Sequence, residues 1–396
     1  MDITIFPQKL QGSIPLIPSK SQAHRLLICA AFADSPTELL CSQTNRDMEA
    51  TVDCLNALGA DIRRTDAGYF VSPVAEVPPK ALLNCCESGS TLRFMLPVAG
   101  ALGVDATFAM EGRLPQRPLS PLWEEMERMG CTLSRPTANT IRCTGKLLPG
   151  RYSMDGSVSS QYITGLLLAL SLQDTPSKLE ITGKIESKPY IQMTRDALGI
   201  FGADPAHPGG KTRRSPGRLT VEGDWSNGAF FLAANALGSS LEVLGLNPDS
   251  AQGDRASADL IPALTSGTQT IDASDIPDLV PVLSVVAACF QGCVFTNIQR
   301  LRLKESDRVA SVIAMIEALG GKAEADETTL RVFGTGLRGG TVDSVTDHRI
   351  AMSAAIAAIA CTEPVTILGA QCVQKSYPTF FEEYRRLGGN YEQYLR

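Results

Sequence analysis

Apolar positions along the chain fall into two alternating kinds of stretch. The first is amphipathic, as over residues 47–58 and 309–319, with apolar side chains at helical spacing. Each such stretch runs into a short phrase built on glycine. The copies are Ala57-Leu58-Gly59-Ala60-Asp61-Ile62, Arg128-Met129-Gly130-Cys131-Thr132-Leu133, Ile200-Phe201-Gly202-Ala203-Asp204, Ala318-Leu319-Gly320-Gly321-Lys322-Ala323 and Arg386-Leu387-Gly388-Gly389-Asn390-Tyr391. The phrase predicts a helix closed by a glycine and followed by a strand. A degenerate copy at Leu264-Thr265-Ser266-Gly267 brings the number of units to about six.

The second kind is apolar nearly all round, as over residues 350–360, and predicts helices buried inside a domain. Its N-termini are polar: Ser19-Lys20-Ser21-Gln22-Ala23-His24-Arg25, Glu87-Ser88-Gly89-Ser90-Thr91-Leu92-Arg93, Ser157-Val158-Ser159-Ser160-Gln161-Tyr162, Asp224-Trp225-Ser226-Asn227, Ile276-Pro277-Asp278 and Thr346-Asp347-His348-Arg349. Each unit therefore pairs one buried helix with one surface helix, joined by short strands. Six units make two similar domains. Ser and Asp at these starts read first as N-caps. Lys20, Arg25, Arg93 and Arg349 need another reason, because cations are disfavoured at a helix N-terminus. A shared anion supplies one.

With 396 residues, 44% hydrophobic and 20% charged, the chain can build full cores. A net charge of −6 argues against a nucleic-acid partner. No signal peptide is evident at the start, and no apolar run reaches a membrane span. Eleven cysteines, an odd number with no CxxC, read as reduced thiols of a cytoplasmic protein. The three histidines, at 24, 207 and 348, lack metal-site spacing, so no metal is expected.

The polar phrases form an ordered set. It runs Lys20-Ser21 with Arg25, Ser88-Gly89-Ser90-Thr91 with Arg93, Arg113-Leu114-Pro115-Gln116-Arg117-Pro118, residues 155–161 and Ser187-Lys188-Pro189-Tyr190. It continues with Ile276-Pro277-Asp278, Lys304-Glu305-Ser306-Asp307-Arg308, Asp347-His348-Arg349 and Lys375-Ser376-Tyr377-Pro378. In this order the set resembles the EPSP synthase (3-phosphoshikimate 1-carboxyvinyltransferase) family across essentially the full chain. The resemblance implies an α/β fold of two similar domains, each of three βαβαββ units with buried parallel helices, an inside-out α/β barrel with the active site between the domains. The first domain is expected at residues 18–224 and the second at 1–17 plus 225–396.

The implied reaction joins phosphoenolpyruvate to shikimate 3-phosphate by addition and elimination, with no cofactor. Asp278 is implied as the base, Glu305 as the acid, and Lys20 as a helper at the leaving phosphate. Shikimate 3-phosphate would be held by Lys20, Ser21, Arg25, Ser159, Ser160, Gln161, Ser187, Tyr190, Asp278 and Lys304. Phosphoenolpyruvate would be held by Lys20, Gly89, Arg117, Gln161, Arg308, Arg349 and Lys375. Arginine suits both anions because its fork donates two parallel hydrogen bonds. A monomer working on two small molecules, with neither nucleic acid nor membrane as partner, is expected.

The chain departs from the family pattern at Glu87, His24 and Arg300. The alternative is the sister transferase acting on UDP-N-acetylglucosamine, whose loop cysteine and Lys-Asn phrase are absent here: residues 113–122 hold no cysteine and position 21 is Ser. A silent binding protein on the same fold is disfavoured by Asp278 and Glu305, and an RNA-end cyclase by the net charge.

Overall fold

The first glycine of each of the five copies lies just past a helix end at positive φ: Gly59 at 101°, Gly130 at 106°, Gly202 at 75°, Gly320 at 83° and Gly388 at 96°. They punctuate a chain that the computed structural model describes over residues 1–210 and 213–394. Two strands come first, β1 (Asp2–Phe6) and β2 (Gln11–Pro15). The chain divides into two units, one of Pro18–Glu222 and the other of Met1–Ile17 with Gly223–Arg396.

The Pro18–Glu222 unit runs α1 (Lys20–Ala31), β3 (Thr37–Leu40), α2 (Arg46–Ala57), β4 (Asp61–Thr65), β5 (Gly68–Ser72), β6 (Lys80–Asn84), α3 (Gly89–Leu102) and β7 (Asp105–Ala109). It continues α4 (Leu122–Arg128), β8 (Cys131–Thr137), β9 (Thr140–Gly145), β10 (Arg151–Asp155), α5 (Ser160–Leu170), β11 (Lys178–Thr182), α6 (Lys188–Ile200) and β12 (Arg218–Thr220). Its sheets are β12-β3-β5-β4, β6-β7-β9-β8 and the parallel pair β10-β11.

The second unit adds α7 (Trp225–Ala236), β13 (Ser240–Leu244), α8 (Ser257–Ser266), β14 (Gln269–Asp272), α9 (Val280–Cys289), β15 (Cys293–Thr296) and α10 (Arg308–Ala318). Then come β16 (Lys322–Ala325), β17 (Thr329–Phe333), β18 (Gly340–Asp343), α11 (His348–Ala357), β19 (Val365–Leu368), α12 (Phe380–Arg386) and β20 (Asn390–Tyr394). Its sheets are β14-β15-β17-β16, β18-β19-β1-β20 and the parallel pair β13-β2. In the first of these, β14 and β15 run parallel, then β17 and β16 return as an antiparallel hairpin. In the second, β1 and β20 from opposite ends of the chain play the hairpin's part.

One repeat in each unit lacks the hairpin that the others have. After Gly202 no strand follows until β12 among the described residues. Pro205, Pro208 and Pro216 occupy that stretch, and proline cannot donate to a ladder. After Gly267 the chain enters β14, the first strand of the next sheet, within two residues. That is too little chain for a hairpin.

The apolar helices are inside, as their pattern requires. Every residue of α11 is buried, as is all of α9 but Cys289. Each unit has its own apolar core. Five of the six inner helices begin at a side-chain cap: Ser19, Ser88, Ser159, Asp224 and Asp347. The exception, α9, starts after Leu279 with Asp278 beside it.

Candidate active site

In the second unit the polar starts of α9, α10 and α11 meet around one guanidinium. Arg308, the first residue of α10 and 1% exposed, donates from Nε to Asp347 Oδ2 at 2.9 Å, from Nη1 to Asp278 Oδ1 at 2.5 Å and from Nη2 to Glu305 Oε2 at 2.6 Å. Arg349 adds Nη2 to Asp278 Oδ2 at 3.1 Å and Nη1 to the Asp278 carbonyl at 3.4 Å. Lys304 Nζ stands 3.8 Å from Asp278 Oδ1. Asp347 is both cap and anchor: its Oδ1 accepts from the Arg349 N–H at 3.0 Å, and its Oδ2 also accepts from Ser306 Oγ at 3.0 Å.

These contacts set the charges. Burial would raise the Asp278 carboxyl, but Arg349, Lys304 and Arg308 outweigh it and hold the group well below the usual carboxylate range. Burial pulls Lys304 down to about 8 against the attraction of Asp278. Burial also opposes the charge of Arg308, yet Asp347, Glu305 and Asp278 keep it firmly protonated. Lys375 closes a short 3-10 turn, Ala370–Lys375, and is half-buried.

In the Pro18–Glu222 unit a second set of cations lines the starts of α1, α3 and α5. Lys20 Nζ bonds Asp47 Oδ2 at 3.2 Å. Arg93 donates from Nη1 to Gln161 Oε1 at 2.9 Å, and Gln161 Nε2 donates to Ser90 Oγ at 3.0 Å, so the α3 and α5 starts are tied together. A methyl group on Gly89 would lie 2.6 Å from Arg117 Nη1 and 2.7 Å from Arg93 Nη1. Glycine here is what lets two guanidinium groups gather at the α3 start. Ser159 caps α5 by accepting from the Gln161 N–H, and Ser160 is its first, buried residue. Ser187 precedes α6 in the left-handed region at φ 55°.

Arg25 is 2% exposed and spends its donors on Thr194 Oγ1 at 2.8 Å, Thr164 Oγ1 at 3.3 Å, the Ser21 carbonyl at 2.5 Å and the Tyr190 carbonyl at 3.0 Å. It links α1 to α5 and α6 and fixes the backbone at Ser21 and Tyr190. His24 is a core residue: its Nδ1 meets Thr51 Oγ1 at 2.7 Å, and burial lowers its pKa to about 3, so it stays neutral. The Glu87 carboxylate lies against Gly112, where a Cβ would meet its Oε1 at 2.6 Å.

Several residues of these clusters carried no role in the sequence. Asp47 pairs with Lys20, and Ser306 donates to Asp347, the partner of Arg308. The cap at Asp347 follows from the sequence, whereas its bonds to Arg308 and Ser306 do not. Asp254 carries no signal in the sequence. It is 1% exposed, its Oδ2 accepts from Ser226 Oγ, and its Oδ1 is buried without a hydrogen bond. Burial raises its pKa to about 7; Asp278 adds to the rise and Arg349 opposes it.

Carboxylates held on arginines at helix starts put acid–base groups and cations side by side. The fold is that of the enolpyruvyl transferases. It matches the EPSP synthase from Acinetobacter baumannii with a TM-score of 0.81, covering 100% of each chain at 20% identity. It matches the enolpyruvyl transferase NikO from Streptomyces tendae with a TM-score of 0.76, covering 99% of this chain and 98% of that one at 17% identity. Residues 6–384 match the family described as EPSP synthase (3-phosphoshikimate 1-carboxyvinyltransferase). The 3-phosphoshikimate 1-carboxyvinyltransferase of Clostridium kluyveri is 37% identical over 420 aligned residues, covering 99% of this chain and 98% of that one. The same-named protein of Clostridium novyi is 36% identical, with 98% of each covered. The chain belongs to the EPSP synthase family.

Proposed function

We propose that the chain transfers the enolpyruvyl group of phosphoenolpyruvate to the 5-hydroxyl of shikimate 3-phosphate, releasing phosphate. Full-length membership of the family supports the reaction. The observation that carries the chemistry is the pair of carboxylates, Asp278 and Glu305, held on the one Arg308 guanidinium. Asp278 takes the proton of the 5-hydroxyl as that oxygen attacks C2 of phosphoenolpyruvate. Glu305 protonates the C3 methylene, which becomes a methyl group. Loss of a methyl proton and of phosphate from the tetrahedral intermediate then restores the double bond. Lys20 assists at the departing phosphate.

The electrostatics add a trigger. Without substrate, Arg349 and Lys304 are engaged with Asp278 and make it a poor base. An anionic substrate that draws these cations to itself raises the basicity of Asp278 when the hydroxyl arrives.

For shikimate 3-phosphate we assign Lys20, Ser21, Arg25, Ser159, Ser160, Gln161, Ser187, Tyr190, Asp278 and Lys304. For phosphoenolpyruvate we assign Lys20, Gly89, Arg117, Gln161, Arg308, Arg349 and Lys375. The setting is a cytoplasmic monomer; all eleven cysteines are free thiols, and among the described residues no helix is long and apolar enough to cross a membrane. The test is phosphate release. Phosphoenolpyruvate with shikimate 3-phosphate should yield phosphate, and either alone should not. Release only with UDP-N-acetylglucosamine would overturn the reading.

A further inference from the structure

Arg213 is a buried cation outside the clusters above. It is 2% exposed. Its Nη2 donates to the Leu168 carbonyl at 2.8 Å and to Ser171 Oγ. Its Nε and Nη1 are buried and make no hydrogen bond, and no carboxylate pairs with it among the described residues. A desolvated guanidinium without a counter-ion is costly. The carbonyls at the C-terminus of α5 offset only part of that cost.

Arg213 faces a pocket of about 290 Å³ lined also by Phe32, Ser171, Leu172, Gln173, Asp174 and Gly210. The volume suits a small metabolite. Gln173 cannot complete Arg213, because its Oε1 accepts from Ser177 and its Nε2 donates to the Leu147 carbonyl. Asp174 is exposed at the same pocket and forms no ion pair with Arg213. So one pocket presents an unsatisfied cation, a separate carboxylate and the side of an aromatic ring. A ligand carrying only negative charge would meet Asp174, and one carrying only positive charge would meet Arg213.

We propose that this pocket binds a free α-amino acid, with its carboxylate toward the Arg213 guanidinium and its ammonium group toward Asp174. The site lies at the C-terminal ends of α1 and α5. The eleven residues of α5 separate it from Ser160 and Gln161 by about 16 Å. It is therefore distinct from the anion clusters, and it stands or falls independently of the transferase reaction.

The experiment is calorimetric titration of the full chain with each of the twenty standard amino acids, and with sodium sulfate. At least one amino acid should bind the native protein. Its Kd should rise by at least about tenfold in Arg213→Gln and in Asp174→Asn, the range expected for losing a charge-assisted hydrogen bond. It should be unchanged in Arg349→Ala. The N-acetylated form of the same amino acid should bind as weakly as the native ligand binds Asp174→Asn. No binding by any amino acid overturns the proposal. So does binding unchanged in Asp174→Asn, or sulfate binding as tight as the best amino acid. Asp174 is exposed and Asp174→Asn should fold normally, so the test survives a failure of Arg213→Gln to fold.

Discussion

Arg308 Nη1 lies 2.5 Å from Asp278 Oδ1, joining the first residue of one helix to a residue two positions before another. The same buried guanidinium also carries Asp347, so it is a structural hub as well as a charge in the site. Replacing it strands the buried Asp347 carboxylate. Arg308→Met should lose about 3–5 kcal/mol of stability, the cost of leaving a buried partner unpaired. Denaturant unfolding checks this. A variant as stable as the native chain would show that Asp347 and Asp278 find other partners.

Asp278→Asn and Glu305→Gln keep shape and remove one proton-transfer group each. Turnover should fall by roughly 10²–10⁴-fold. Binding of shikimate 3-phosphate should persist, measured by calorimetry. Near-native turnover in either folded variant would sink its assignment.

Arg117 and Arg349 stand at different helix starts, yet both are assigned to phosphoenolpyruvate. Arg117→Ala and Arg349→Ala should each raise KM for phosphoenolpyruvate more than KM for shikimate 3-phosphate. The expected loss is on the order of 1.5–3 kcal/mol. Equal weakening of both substrates in steady-state kinetics would count against the division.

Lys304 titrates at about 8 because burial works against its charge. As pH rises through 8 the ammonium is lost, so kcat/KM for shikimate 3-phosphate should decline on the alkaline side. Arg keeps its charge there, and Lys304→Arg should flatten that limb. An unchanged limb would place the titrating group elsewhere.

Asp254 gives a pH dependence of stability. Its folded pKa of about 7 exceeds the ordinary 3.8, so the folded state binds the proton more tightly. Its contribution is fully present below about 4 and is lost as pH rises toward 7. The whole shift is worth roughly 4 kcal/mol at most. Asp254→Asn removes this dependence. Relative to the native chain it should gain stability steadily between pH 4 and 7 in denaturant titrations. A difference that stays flat across that range would show that Asp254 does not titrate there.

The repeat was legible because two periodicities are written locally. A glycine that ends a helix must adopt positive φ, and Gly59, Gly130, Gly202, Gly320 and Gly388 all do. An all-apolar helix must be buried, and α9 and α11 are. The strand expected after Gly202 failed on proline, a signal also present in the sequence, whereas the one expected after Gly267 forms as β14. The hairpin completed by β1 and β20 was not visible, since it pairs residues from the two ends of the chain.

Within the sites, the sequence by itself determined which side chains stand at helix starts, because caps and helix phase are local properties. Lys20, Gly89, Ser159, Arg308 and Arg349 followed from that. Which of them touch was decided only by the tertiary structure. Of the three carboxylates on Arg308, Glu305 reaches it by i,i+3 spacing, but nothing in local spacing brings Asp278 and Asp347 to it. The same holds for Asp254 and Arg213. Their character comes from burial and from the absence of an ion pair among the described residues, and both depend on how distant segments pack.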